Sequence, residues 1–334
     1  MRILIATGVY PPESGGPATN TRLLEERLPS HGFVVAVLPF RTVRRLPCGV
    51  RHAAYFFRLL AMVRRADILY AQDAVSVGLP AAVASVFSRK KLIIRVPGDY
   101  AWEQGRARFG VRESLDEFGP HLHGWRVWFL HKVQCWSLSR AWRIIAPSSY
   151  LRDHVISWGI KPERIILIHN GIELPVPIEP PQARPEGFLV VSIGRRVPWK
   201  GFESLESVVA REKKWSLFIA ETLPRPQALG WASTADVFVL NSSYEGLSHT
   251  LIEVMSLGSP IIATNIGGNP ELIRDGIEGL LIPAHDDEAL YNALKSMESD
   301  RALAKRLGVA AAERAKEFSI EKTVNKLIEL LHTA

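Results

Sequence analysis

Four charged side chains stand at spacings that suit chemistry on one anionic ligand. Glu245 and Glu253 lie eight positions apart, and Arg195 and Lys200 lie five apart. A carboxylate in a loop can accept hydrogen bonds from sugar hydroxyls, and one on a following helix can take the hydroxyl pair of a ribose. Two cations flanking one loop can neutralise a diphosphate and stabilise the charge that builds on it as it leaves. Each pair also has a plainer reading. Acids near a helix start are favoured by its dipole whatever they bind, and a basic turn can simply be a solvated one. Spacing alone leaves both open.

The elements that carry these residues narrow the choice. Asp236-Val237-Phe238-Val239-Leu240 is short, apolar and rich in β-branched and aromatic residues, which predicts a buried strand. Ser248 to Leu257 reads as a helix stopped by Gly258 and Pro260, and Pro260 to Thr264 as the next strand. Glu245 is thereby placed in the loop leaving the carboxyl end of a strand, and Glu253 inside the next helix. Ligands of open α/β sheets bind in that crevice. The first amides of a helix have no partner within it, so Gly246, Leu247, Ser248, Thr250 and Leu251 can offer N–H groups to an anion. Gly246 lets a ligand approach the backbone closely. Phe188 to Ile193 predicts another strand, with Gly194-Arg195-Arg196-Val197-Pro198-Trp199-Lys200-Gly201 at its carboxyl end.

Downstream come Gly258, then Ile261 to Ile273 with Gly267-Gly268-Asn269-Pro270-Glu271, then Gly276, Gly279 and Pro283. With these flanks the sequence resembles family 4 of the retaining glycosyltransferases, which have the GT-B fold. The family's two glutamates separated by seven residues are matched by Glu245 and Glu253. Its small-Gly-x-Pro strand and Gly-Gly-x-x-Glu turn are matched by Ser256 to Pro260 and Gly267 to Glu271, and its diphosphate-binding loop by Gly194-Arg195 and Lys200-Gly201. The resemblance implies two doubly wound, Rossmann-like α/β domains facing a cleft. It implies transfer of a hexose from a nucleotide diphosphate sugar to an acceptor hydroxyl with anomeric retention, and no cofactor or bound metal ion. On it, Glu245 holds the sugar hydroxyls, Gly246 to Leu251 give amides to sugar and phosphate, Glu253 holds the ribose, and Arg195 with Lys200 clamps the diphosphate.

Composition bounds the remaining choices. A chain of 334 residues is too long for one ordinary core and suits two domains. Hydrophobic content of 47% excludes a disordered chain. Cys48 and Cys135 are far apart in sequence and suggest neither a disulfide framework nor a metal cluster, which fits a reducing cytoplasm. Met1 to Thr7 is too short for a signal segment and reads as a strand. No apolar run reaches the length of a membrane span. The net charge of +7 gathers arginines in the first half. Such a surface could meet anionic lipid headgroups or phosphorylated acceptors, or serve only as a solubilising face. No recognised nucleic-acid module accompanies the charge. These observations place the chain in the cytoplasm, with the inner face of a membrane as a site of peripheral contact.

The first half alternates strands with helices: strands at Arg2–Thr7, Phe33–Leu38, Asp67–Ala71, Leu92–Val96, Trp142–Ala146 and Ile165–Ile168, helices at Pro17–Leu28, Cys48–Arg64, Val75–Phe87, His123–Arg140 and Ser148–Trp158. Such alternation means a mostly parallel sheet covered on both faces. Its first loop, Pro11 to Pro17, is not the glycine pattern of a dinucleotide fold. Gly15 and Gly16 there could bring amides to a phosphate or sugar, or form a simple turn. The resemblance favours the former. After the strand ending at Val96, relatives carry a histidine beside the transferred sugar, where this chain has Gly98 and Asp99. Asp99 could orient an acceptor hydroxyl or help it lose a proton, or only form the turn. Trp102 could stack on a sugar ring or pack. Glu103 to Gly119 reads as a loop or short helix over the acceptor site, and His121, His123 and His131 do not form a metal set.

The expected domains are 1–172 on the acceptor side, a proline-rich linker 173–186, a nucleotide-sugar-binding domain 187–316, and a final helix 317–334 crossing back to the first. Helices are also expected to open at Asp286-Asp287, Asp300 and Ser319. Between the strand Trp215–Ala220 and the strand at Asp236 there is one helix, Gln227–Thr234, where relatives have about one βα unit more. The second sheet should be one strand short, and the base pocket open or built otherwise. Alternatives to transfer are a non-catalytic, transferase-like binding protein and a nucleotide-sugar epimerase of the same fold. A phosphorylase-like enzyme finds no motif for phosphate or pyridoxal. Expected partners are the donor and a glycan, lipid-linked or small-molecule acceptor, with no nucleic acid.

Overall fold

The computed structural model describes residues 1–13, 16–47 and 50–334. Gly15 and Cys48 lie outside them. The chain divides into two compact units, residues 1–169 with 323–334, and residues 170–322.

The first unit is built on β1 (Arg2–Thr7), β2 (Val34–Pro39), β3 (Ile68–Ala71), β4 (Lys91–Arg95), β5 (Arg143–Ala146) and β6 (Ile165–Leu167). They form one sheet in the order β2-β1-β3-β4-β5-β6, every pair parallel. Parallel strands need crossovers, supplied by α1 (Gly16–Arg27), α2 (Val50–Val63), α3 (Gly78–Ser88), α4 (Tyr100–Arg108), α5 (Gly124–Arg140) and α6 (Ser149–Ser157). Helices on both faces leave the strands no polar face, which is why β3 is buried at every position. α13 (Ile320–His332) contributes its residues from Thr323 onward to this unit, where the Thr323 hydroxyl donates to the His169 carbonyl at 3.0 Å.

The second unit has β7 (Phe188–Ile193), β8 (Trp215–Ala220), β9 (Val237–Leu240), β10 (Ile261–Thr264) and β11 (Leu280–Ile282), in the order β11-β10-β9-β7-β8 and again all parallel. It has five strands against six in the first sheet. Its helices are α7 (Phe202–Val209), α8 (Arg225–Thr234), α9 (His249–Ser256), α10 (Asn269–Leu272), α11 (Asp287–Ser299) and α12 (Arg301–Ala315). Alternate residues of β7 enter opposite cores, Leu189 and Val191 on one face, Phe188 and Val190 on the other.

Three stretches depart from the sequence reading. The expected loop or short helix from Glu103 is a helix, α4, that starts earlier, at Tyr100, because the Asp99 carboxylate accepts from the Trp102 amide at 3.0 Å and caps it there. α3 starts at Gly78 rather than Val75, because Asp73 accepts from the amides of Val75 at 2.9 Å and Val77 at 3.2 Å and holds them in a turn. The proline-rich stretch 173–186 lies against α8: the Glu179 amide donates to the Pro226 carbonyl at 2.9 Å, and a Cβ on Gly230 would stand 2.0 Å from the Glu179 carbonyl oxygen. α7 and β11 have no counterpart in the sequence reading.

Candidate active site

The strand order of the second sheet fixes where a ligand can sit. From β7 the chain goes outward to β8, then returns to β9 on the other flank of β7. The loops leaving the carboxyl ends of β7 and β9 therefore part in opposite directions, which opens a crevice between two adjacent strands. Arg195 and Lys200 lie in the first of these loops, and Glu245 in the second.

Three interactions knit the two loops together, and a fourth holds the second loop on itself. The Lys200 ammonium contacts Glu245 Oε1 at 2.5 Å. The Ser243 amide donates to the Trp199 carbonyl at 2.8 Å, and Asn241 Nδ2 donates to the Gly201 carbonyl at 3.0 Å. Gly201 has a φ of +64°, and a Cβ there would lie 2.1 Å from the Asn241 carbonyl oxygen, so glycine is required on both counts. The Ser242 hydroxyl, buried, donates to Glu245 Oε1 at 2.8 Å. The Glu245 carboxylate is thus fixed by one ammonium and one hydroxyl.

The turn after β10 supports the same loop from behind. The Gly268 amide donates to the Glu245 carbonyl at 3.0 Å. Cβ atoms on Gly267 and Gly268 would lie 2.0 Å from the Glu245 carbonyl oxygen and 2.3 Å from that of Gly246. Two glycines stand here because the loop that carries the carboxylate runs directly over them.

On α9, Glu253 contacts the Arg225 guanidinium, which also donates to the Thr250 hydroxyl at 3.1 Å. Arg225 opens α8, and the sequence reading assigned it no role. Its neighbours push the guanidinium down to about 10, through burial. With 39% of the side chain still facing solvent, it keeps its charge at neutral pH. Arg195 is exposed and makes no side-chain hydrogen bond or ion pair among the described residues. Its neighbour Arg196 is held by Glu206 at 2.7 Å and Glu221 at 2.8 Å. Of the two adjacent arginines, Arg195 is the one without a carboxylate partner among the described residues.

One part of the amide reading needs correction. The Ser248 hydroxyl caps α9 by accepting from the Leu251 amide at 3.2 Å, so that amide is not free for an anion. The side chains of Leu247 and Leu251 are buried in the core beneath the helix. The helix start that remains open to a ligand is Gly246 to Thr250.

In the first unit Asp99 is buried, and its Oδ1 accepts from the Trp102 amide at 3.0 Å and from Gln134 Nε2 at 3.3 Å. This is the turn-forming alternative, realised as a helix cap. Trp102 is 1% exposed and donates from its indole to the Glu113 carbonyl at 3.0 Å, so it packs and cannot stack on a ligand. Asp99 lies on the wall of a cavity of about 570 Å³, with Asp116, His131, Tyr150 and His154. Burial pushes the Asp99 carboxyl up and the His131 imidazole down. Gly16 opens α1 at the carboxyl end of β1. Among the described residues no group of three or more His, Cys, Asp or Glu side chains is arranged to hold a metal.

A family model described as Glycosyltransferase Family 4 matches residues 9–175, half of the chain, and one described as Glycosyl transferases group 1 matches residues 222–314. The chain belongs to glycosyltransferase family 4. Among its curated relatives is a D-inositol 3-phosphate glycosyltransferase of Streptomyces bingchenggensis, 37% identical over 92 residues, which cover 28% of this chain and 20% of the relative. The alpha-maltose-1-phosphate synthase of Mycolicibacterium smegmatis is 28% identical over 258 residues, 60% of this chain and 66% of that protein. The matched stretches thus span from a fifth to two thirds of these relatives. HepE of Anabaena, solved with UDP-glucose, shares the fold of this family 4 chain over the full length of both, with a TM-score of 0.79 at 17% identity. The Glycosyl transferases group 1 match includes Arg225, Glu245 and Glu253 together.

Proposed function

We propose that the chain transfers a hexose from a nucleotide diphosphate sugar to an acceptor hydroxyl, with anomeric retention. The observation that carries this reading is the contact of Lys200 with Glu245 at the switch point of the second sheet. There a cation suited to a diphosphate and a carboxylate suited to sugar hydroxyls touch across two loops. Arg195 and Lys200 meet the charge of the departing diphosphate, Glu245 holds the sugar, and Glu253, steadied by Arg225, takes the ribose. Amides at Gly246, Leu247, Ser248 and Thr250 add donors to sugar and phosphate. Asp99 acts as a positioning residue that starts α4.

The charge balance supports the assignment. Lys200 and Arg225 balance the two carboxylates, and Arg195 is left as the surplus positive charge for an incoming diphosphate. Leaving-group stabilisation and fixed orientation supply most of the acceleration. Because side chains provide the counter-charge, no resident metal is required, and turnover should persist in the presence of a chelator. Loss of turnover on chelation, restored by a divalent cation, would contradict this.

The acceptor is a glycan, a lipid-linked saccharide or a small metabolite, held by the first unit. No helix among the described residues is long and apolar enough to cross a membrane. The proposal places the chain in the cytoplasm, touching an anionic membrane face through its basic first unit.

A thermal-shift screen against nucleotide diphosphate hexoses tests the reading, since a ligand bound only by the folded state raises apparent stability. UDP-glucose comes first, because HepE was solved with it. A stabilising donor should also release its nucleoside diphosphate when an acceptor is present. If no nucleotide sugar stabilises the chain, the transferase reading fails. Stabilisation with no turnover on any acceptor would leave a binding protein.

A further inference from the structure

Three helices of the first unit, each with the short basic stretch that follows it, contain no aspartate or glutamate. Residues 50–65 (α2), 78–91 (α3) and 124–143 (α5) hold eleven Arg and Lys side chains and not one acid. α2 packs on α3, and α3 on α5, so the three make one continuous face.

That face carries large exposed aromatics. Phe57 on α2 is 65% exposed, Phe87 on α3 72%, and Trp125 and Phe129 on α5 72% and 54%. Along α5, Trp125, Trp128, Lys132, Trp136 and Arg140 recur at three- and four-residue spacing, which puts them on one side of the helix. Each of the three indoles has its own cation over the ring: Arg126 over Trp125 at 5.6 Å, Lys132 over Trp128 at 5.6 Å, and Arg140 over Trp136 at 5.3 Å. The Phe87 ring lies 6.4 Å from Phe56, which in turn lies 5.3 Å from Phe57, so α2 and α3 share one aromatic patch. Where these helices end, Leu60, Arg64, Phe87, Ser88 and Lys90 line a groove of about 410 Å³.

Exposed apolar area of this kind marks an interaction surface. The core of a protein–protein interface is depleted in charge, whereas here a cation accompanies every exposed indole. That interleaving fits the headgroup layer of a bilayer. Indoles settle at that depth, long basic side chains bury their stems and keep their charge in water, and anionic lipids attract the cations. The groove places two cations over an apolar floor, matching a phosphate headgroup above the start of an acyl chain.

We propose that α2, α3 and α5 form the docking face of this chain on an anionic bilayer, with Arg64 and Lys90 cradling a lipid phosphate. This rests on the membrane contact in the proposed function and names the face that makes it. The test is co-sedimentation of the full chain with vesicles of phosphatidylcholine alone or mixed with phosphatidylglycerol, at low and high salt. The parent should bind the mixed vesicles, release them at high salt, and ignore phosphatidylcholine alone. Joint replacement Trp125→Ser, Trp128→Ser, Trp136→Ser should weaken binding by about tenfold or more, as should Arg64→Glu with Lys90→Glu. Phe57→Ser with Phe87→Ser provides a second variant should the indole set fail to fold. All variants that fold should keep the thermal stabilisation given by the donor. Variants that bind like the parent would overturn the face while leaving contact elsewhere on the first unit intact. A parent that ignores anionic vesicles would overturn both the face and the membrane contact, leaving the donor test to judge the transferase. Self-association abolished by the same replacements, without vesicle binding, would assign the face to a second copy and overturn the lipid proposal.

Discussion

At the carboxyl ends of β7 and β9, Glu245 meets Lys200, and on the helix that follows β9, Glu253 meets Arg225. At the corresponding ends of β3 and β4 in the first unit, Asp73 and Asp99 accept instead from backbone amides of the turns and helices they start. Both sheets are wound alike, and both place acids at the strand ends. The second unit pairs its acids with side-chain cations. The first uses Asp73 and Asp99 to hold turns and a helix start, and Asp99 shares a cavity wall with Asp116, two imidazoles and a phenol. The same position in a fold can therefore be a charge relay for an anion or a set of helix caps, and the partner decides which. This division is the reason for placing the donor on the second unit.

The largest expected effect is on the cations. Lys200→Ala should lower turnover by about 10²–10³-fold, the range seen when one preorganised donor to a developing charge is removed. Lys200 is partly exposed, so the fold should survive. Steady-state rates beside an unchanged unfolding curve would check this, and retained turnover would erase the contrast between the units. Next comes Gly268→Ala, whose methyl group would meet the Gly246 carbonyl oxygen at 2.3 Å. It should destabilise the second unit by about 1–3 kcal/mol, read by denaturant unfolding. A smaller step is expected for Arg225→Ala, which removes the support of Glu253. With much of that pair in contact with water, donor affinity should weaken by about tenfold or less, seen as a raised KM at similar kcat.

The smallest effect is the pH dependence of the first unit. His131 titrates below its ordinary 6.5 in the folded chain, because burial disfavours the imidazolium. Its contribution to stability is complete above 6.5 and is lost as pH falls toward the depressed value. Asp99 is raised above 3.8 by burial, so its contribution is lost as pH rises through that raised value. His131→Asn should flatten the loss of stability below pH 6.5, and Asp99→Asn should flatten the loss as pH rises above 3.8. Unaltered pH profiles in both variants would mean that the cavity wall carries no titratable strain.

What was legible in the sequence follows from how local each signal is. Most strands of both sheets read as short apolar runs, since burial on two faces leaves no polar alternation to confuse them. β11 was missed although all three of its residues, Leu280 to Ile282, are apolar. The two glutamates were found by spacing within one loop and helix. Arg225 escaped because its partner Glu253 lies beyond β9, and no periodicity links the two positions. Leu251 reads as a free amide by its position at the helix start, whereas the Ser248 hydroxyl occupies that amide in the structure. Asp99 after Pro97-Gly98 reads equally as turn or base, and the observed Trp102 and Gln134 bonds establish its capping role. The glycines at 267 and 268 belonged to a pattern in the sequence. Their physical reason, the Glu245–Gly246 backbone lying over them, appears only in three dimensions.

The central claim is that Arg195 and Lys200 hold the diphosphate of an activated hexose beside Glu245. Calorimetric titration of UDP-glucose and of uridine into the parent chain, Arg195→Ala and Lys200→Ala tests it most directly. The account predicts that the parent binds UDP-glucose, that each variant binds it at least about tenfold more weakly, and that uridine binding is the same in all three. UDP-glucose binding of equal strength in all three chains would contradict it.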